Sequence, residues 1–74
     1  MDNIDYGFWN HKIEDARKNN ESTATIHYFG FLHAKELENA DLNNICRKLS
    51  IGTSYKVELK KMINLHKMIQ RETK

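Results

Sequence analysis

Apolar residues return at helical intervals along most of this chain, with one break in the pattern. Near the start, Ile4, Phe8, Ile13 and Ala16 recur at near-helical spacing with Trp9 beside them. Asp5, Lys12, Asp15 and Lys18 take the remaining positions, so the first stretch is predicted to be an amphipathic helix. Asn19-Asn20 is its predicted stop, because asparagine tolerates the left-handed conformation that ends helices. From Glu21 to Phe31 the character changes. Thr23, Thr25, Ile26, Tyr28, Phe29 and Phe31 are β-branched or aromatic and favour a short strand near 23–31. A lone strand leaves backbone groups unpaired, so it would pair with a second copy; the alternative is a helix through Ala24–Tyr28.

Beyond Leu32 the periodicity sharpens. Asn39 is a predicted cap for a helix whose inward positions are Leu42, Ile45 or Cys46, and Leu49. Ser50-Ile51-Gly52 interrupts that helix, with Gly52 expected to supply a flexible loop backbone. Thr53 or Ser54 is then expected to cap a last helix through its hydroxyl. Leu59, Met62, Ile63, His66 and Ile69 form the apolar stripe of that helix. Lys56, Lys60, Asn64, Lys67, Arg71 and Lys74 step along its other side. The expected fold is mainly α, a small helical domain with a helix–loop–helix and at most one short strand. It divides into an N-terminal helix plus extended segment over 1–34 and the helix–loop–helix over 35–74, within one compact domain.

Composition narrows the function classes. A chain of 74 residues buries only about 60% of the surface its unfolded form exposes, so a deep substrate pocket is not expected and neither is catalysis. Apolar residues are 39%, charged residues 30%, proline is absent and glycine occurs three times, a globular and helix-leaning composition. The single cysteine, Cys46, cannot form an internal disulfide. The acidic start lacks the pattern of a signal peptide, and no run of about 18 apolar residues occurs. A soluble cytoplasmic protein with no membrane role is expected, nuclear if the host is eukaryotic. Charge is uneven: residues 1–33 carry three basic and five acidic side chains, and residues 34–74 carry nine and five. An anionic partner would be drawn to the last helix.

The residues from Leu37 to Ile63 resemble a SAP module, a short helix, extended loop and second helix that typically binds DNA. Leu37 is followed by Asp41-Leu42, and Leu42, Ile45 and Leu49 space the first helix in the family manner. Thr53-Ser54 follows a loop opened by Ile51, and Lys56-Val57-Glu58-Leu59 with Lys61-Met62 resembles the family's second helix. The likeness covers residues 35–67. Two family glycines are replaced, by Ser50 and Tyr55. The resemblance implies a non-catalytic protein that binds double-stranded DNA through its phosphate backbone. The residues themselves point the same way: Gly52, Thr53 and Ser54 at a helix start are a ready phosphate site. Lys56 and Lys60 follow one turn apart, and Arg47 and Lys48 flank the loop, with Tyr55 packing against a sugar or shielding the loop.

Two other readings compete. Arg47 to Thr53 also resembles the turn of a helix-turn-helix, with Thr53–Met62 as a recognition helix in the major groove of a sequence-specific site. Alternatively, the acidic, aromatic N-terminal third, with Tyr6, Phe8 and Trp9, serves a homodimer or a protein partner, as an adaptor or inhibitor without a nucleic-acid role. No cofactor or metal is expected. His11, His27, His33, His66 and Cys46 show neither a CxxC nor an HxxxH spacing. Cys46, set among Leu42, Ile45 and Leu49, reads as a small core residue.

Overall fold

The computed structural model describes residues 4–73. Lys74 of the basic stripe and residues 1–3 of the acidic start lie outside them. The chain runs through α1 (Tyr6–Arg17), α2 (Ser22–Leu32), a single turn α3 (Ala34–Leu37), α4 (Leu42–Lys48), a 3-10 turn (Thr53–Tyr55) and the long α5 (Lys56–Glu72). No strand occurs among the described residues.

The strand expected near 23–31 is helix α2, the alternative the sequence left open. A helix bonds its own backbone, so the segment needs no partner strand. It also places Ile26, Phe29 and Gly30 on one buried face. Burial against neighbouring helices outweighs the β preference of these side chains. Phe29 is fully buried and Trp9 nearly so, their rings 5.2 Å apart and edge to face.

α2 is the central helix, packed chiefly against α5 on one side and α1 on the other. Gly30 makes the α2–α5 approach possible: a Cβ there would stand 3.1 Å from Met62 Cβ and 3.3 Å from Leu59 Cδ2. One core runs through every helix, from Trp9 and Ile13 to Leu59 and Ile63, and takes in Leu49 and Ile51 of the turn after α4. The inward positions of α1 are Trp9 and Ile13; Phe8, expected inside, is 54% exposed. Trp9 and Ile13, four residues apart, take the inward face, and Phe8, one position earlier, lies on the flank with its ring edge to face on Trp9 at 5.3 Å. Asp5 caps the helix by accepting from Phe8 N–H at 3.0 Å.

Capping differs from expectation at two further helix starts. α4 is capped by Asp41, whose carboxylate accepts from Asn43 N–H at 3.1 Å, and Asn39 plays no such part. Neither Thr53 nor Ser54 caps α5, because the chain enters that helix through the 3-10 turn, closed by Tyr55 N–H donating to Gly52 O at 3.0 Å. Both hydroxyl residues stay exposed.

Candidate nucleic-acid interface

The turn between α4 and α5 fixes the direction of the last helix. Ser50 N–H donates to Arg47 O and Ile51 N–H to Cys46 O, both at 3.0 Å. This pair of bonds is the Schellman closure, which needs a left-handed residue at its centre. That residue is Ser50, at φ 59. Gly52, expected to give the loop a flexible backbone, has an extended conformation with φ −64 that any residue can adopt. The closure lets Ile51 turn back into the core, where it is 7% exposed. The same closure ends α1, with Asn20 at φ 58, Asn20 N–H on Arg17 O and Glu21 N–H on Ala16 O, as the Asn19-Asn20 pair implied.

α1 braces this turn from outside the helix–loop–helix. Asn10 Nδ2 donates to Ser50 Oγ at 2.9 Å, and the Arg17 guanidinium reaches Ser50 O at 3.5 Å. Forty residues separate Asn10 from Ser50 in sequence, so no local pattern announces the contact.

Beyond the turn, the residues expected to meet an anion take the following places. Gly52, Thr53 and Ser54 are exposed and lead into α5, and Tyr55 is half-buried against the core, shielding the turn from below. Lys56 and Lys60 are exposed and one helical turn apart, which sets their side chains on one face. Arg47 and Lys48 are exposed at the end of α4. Lys48 leans toward α1, its ammonium 5.0 Å from the Tyr6 ring centre, so it stands at the edge of this surface.

The structure adds residues that sequence spacing did not single out for binding. Lys56, Val57, Lys60, Lys61 and Asn64, together with Leu42 of α4, line a shallow depression of about 490 Å³. Val57 is 52% exposed there. The one carboxylate on this part of α5, Glu58, turns to the opposite flank. Its Oε1 accepts from His27 Nε2 at 2.7 Å, and Lys61 Nζ lies 3.4 Å from its other oxygen. The His27 hydrogen bond, assisted by the Lys61 charge, holds the Glu58 carboxyl below its ordinary range. The cationic stripe continues toward the helix end through Lys67 and Arg71, where Lys67 stands 3.8 Å from Glu38.

Of the histidines, His27 pairs with Glu58, His33 Nδ1 lies 3.1 Å from Glu36, and His66 stacks edge to face on Phe31. Among the described residues, no three His, Cys, Asp or Glu side chains gather as metal ligands. Burial raises the Cys46 thiol above its ordinary pKa, and it is completely enclosed. No helix among the described residues is long and apolar enough to cross a membrane.

Comparison with known families places this geometry. The model of a family described as an HTH-like domain matches residues 10–72. That span includes most of α1 with its brace and the whole of α2 to α5. It supports a helix-turn-helix type of DNA-binding module with a regulator-type role, and does not single out the SAP form. No curated protein and no solved structure gives a significant match to the chain.

Proposed function

The chain belongs to the HTH-like domain family, and on that premise we propose that it is a small, non-catalytic DNA-binding regulator whose α5 enters the major groove of a duplex. α4, the turn at Leu49–Gly52 and the start of α5 form the helix-turn-helix unit. Thr53, Ser54, Lys56 and Lys60 hold phosphates at the mouth of the groove, and Arg47 and Lys48 reach the backbone on the flank. Contacts of this kind set register and orientation, and the outward side chains of the recognition helix meet the bases.

The observation that carries this reading is the run of exposed cations on α5. Five basic side chains, Lys56, Lys60, Lys61, Lys67 and Arg71, are exposed on it, while the acid Glu58 is drawn away to His27. Lysines on a solvated helix are common, but they usually alternate with acids that stabilise the helix. Among the described residues the one such pair within this helix is Lys61 with Glu58, which lies on the flank away from Lys56 and Lys60.

A SAP-like mode, in which loop and helix start grip only the backbone, is the second reading. It is favoured by the two exposed hydroxyl residues, Thr53 and Ser54, that take no part in capping. Sequence preference separates the two modes, since backbone contacts alone carry none. The test of DNA binding itself is charge reversal. Lys56→Glu with Lys60→Glu, measured by fluorescence anisotropy on a short duplex, is expected to abolish binding while circular dichroism shows unchanged helicity. Undiminished binding by that folded double variant removes this surface from consideration.

A further inference from the structure

The depression at the start of α5 has an apolar floor and a cationic rim, and its two uncharged rim residues are unlike their neighbours. Leu42 and Val57 supply the apolar part; Lys56, Lys60 and Lys61 supply the charge; Asn64 is the one side chain there with an amide. Val57 and Asn64 are both poor choices for an exposed helix position. Valine loses side-chain freedom in a helix and asparagine competes with the backbone. Val57 nevertheless presents half of its surface to water among three ammonium groups. Both side chains are exposed and line the depression.

We infer that Val57 and Asn64 are the specificity-determining residues of this protein, and that each reads an A·T pair. The inference rests on the reading that α5 lies in the major groove. That groove displays one apolar group, the thymine methyl, which a branched aliphatic side chain covers. It also displays the adenine N6–N7 edge, which an amide matches with two hydrogen bonds. The lysine rim makes nucleic acid the occupant of the depression, because an apolar protein segment would have to desolvate three ammonium groups to sit there. Val57 and Asn64 are seven residues apart, about 10 Å along the helix axis. That distance corresponds to about three base-pair steps of a B-form duplex. The half-site therefore places a thymine and an adenine about three steps apart.

The experiment begins with selection of the preferred duplex from a randomised library at about 50 mM salt. Single thymines of that duplex are then replaced by deoxyuridine, which lacks the methyl, and single adenines by 7-deazaadenine, which lacks N7. One deoxyuridine is expected to weaken the wild-type protein about fourfold, and one 7-deazaadenine about fivefold or more. Val57→Ala is expected to be indifferent to that deoxyuridine and Asn64→Ala to that 7-deazaadenine, with both variants keeping wild-type affinity for unrelated DNA. If Val57→Ala and Asn64→Ala retain the wild-type response to the modified bases, the assignment of these two readers is overturned while DNA binding stands. A selection that enriches no sequence overturns the assignment and leaves a backbone-binding protein. Failure of the wild type to bind any duplex overturns the proposed function, and this inference with it.

Discussion

Ser50 shows how a single residue carries two opposed contributions. Its left-handed backbone costs a side chain about 1–2 kcal/mol relative to glycine. The hydroxyl returns part of this through its hydrogen bond from Asn10 at 2.9 Å, an interaction of about 1 kcal/mol. Ser50→Gly is therefore expected to unfold within about 0.5 kcal/mol of the wild type. Ser50→Val, whose β-branch adds to the strain at this positive φ and which loses the bond, is expected to be about 2 kcal/mol less stable. Urea titration checks both. Gly30 is the other residue with a decided role. Its Cβ position faces Met62 Cβ at 3.1 Å, part of the α5 helix and unable to swing away. Gly30→Val is expected to push α2 and α5 apart at a cost of about 2–3 kcal/mol, read as a lower urea midpoint. Neither role was readable from sequence. The replacement of a loop glycine by Ser50 was visible, but the flexible backbone of the loop was expected at Gly52, where it is extended, and the left-handed angle falls on Ser50.

Among the elements, α5 was the easiest to anticipate and α2 the hardest. Leu59 and Ile63 at four-residue spacing, with lysines opposite, leave little doubt about a helix, and both are buried. α2 has an almost wholly apolar or β-branched composition, so its local preferences oppose its final form and only its neighbours decide. The basic side of α5 was also readable from spacing. Its freedom from acids was not, because Glu58 is neutralised as a binding obstacle by His27, thirty-one residues earlier. This tie gives the α2–α5 junction a pH dependence. Glu58 has its folded pKa depressed by the His27 hydrogen bond. The stabilisation is therefore complete above the unfolded value near 4.5 and is lost as pH falls through the lower folded value. Glu58→Gln is expected to flatten the fall in thermal stability below about pH 4.5, relative to the wild type. An unchanged acid profile would mean the tie does not bind the two helices in solution.

The molecule taken together is a brace and a probe. α1 and α2 give the short α4 and the turn a fixed wall, with Trp9 and Phe29 in contact with one another and Asn10 and Arg17 holding Ser50 from outside. α5 projects from that wall a row of lysines interleaved with the exposed apolar side chains Val57, Leu65, Met68 and Ile69. The uneven charge along the chain anticipated this polarity, since the ten acidic residues divide evenly between 1–33 and 34–74 while nine of the twelve basic ones fall in the second part. Long-range ties such as Asn10 to Ser50 were out of reach, because they depend on how separate helices cross. The most direct test of the α5 surface is the salt dependence of duplex binding. With Arg47, Lys48, Lys56 and Lys60 at the phosphates, log affinity is expected to fall against log salt with a slope of about −3 to −4 per bound chain. Lys56→Glu with Lys60→Glu should leave no measurable binding under the same conditions. A wild-type affinity indifferent to salt, or one too weak to detect at about 50 mM, would contradict a DNA-binding role for this helix.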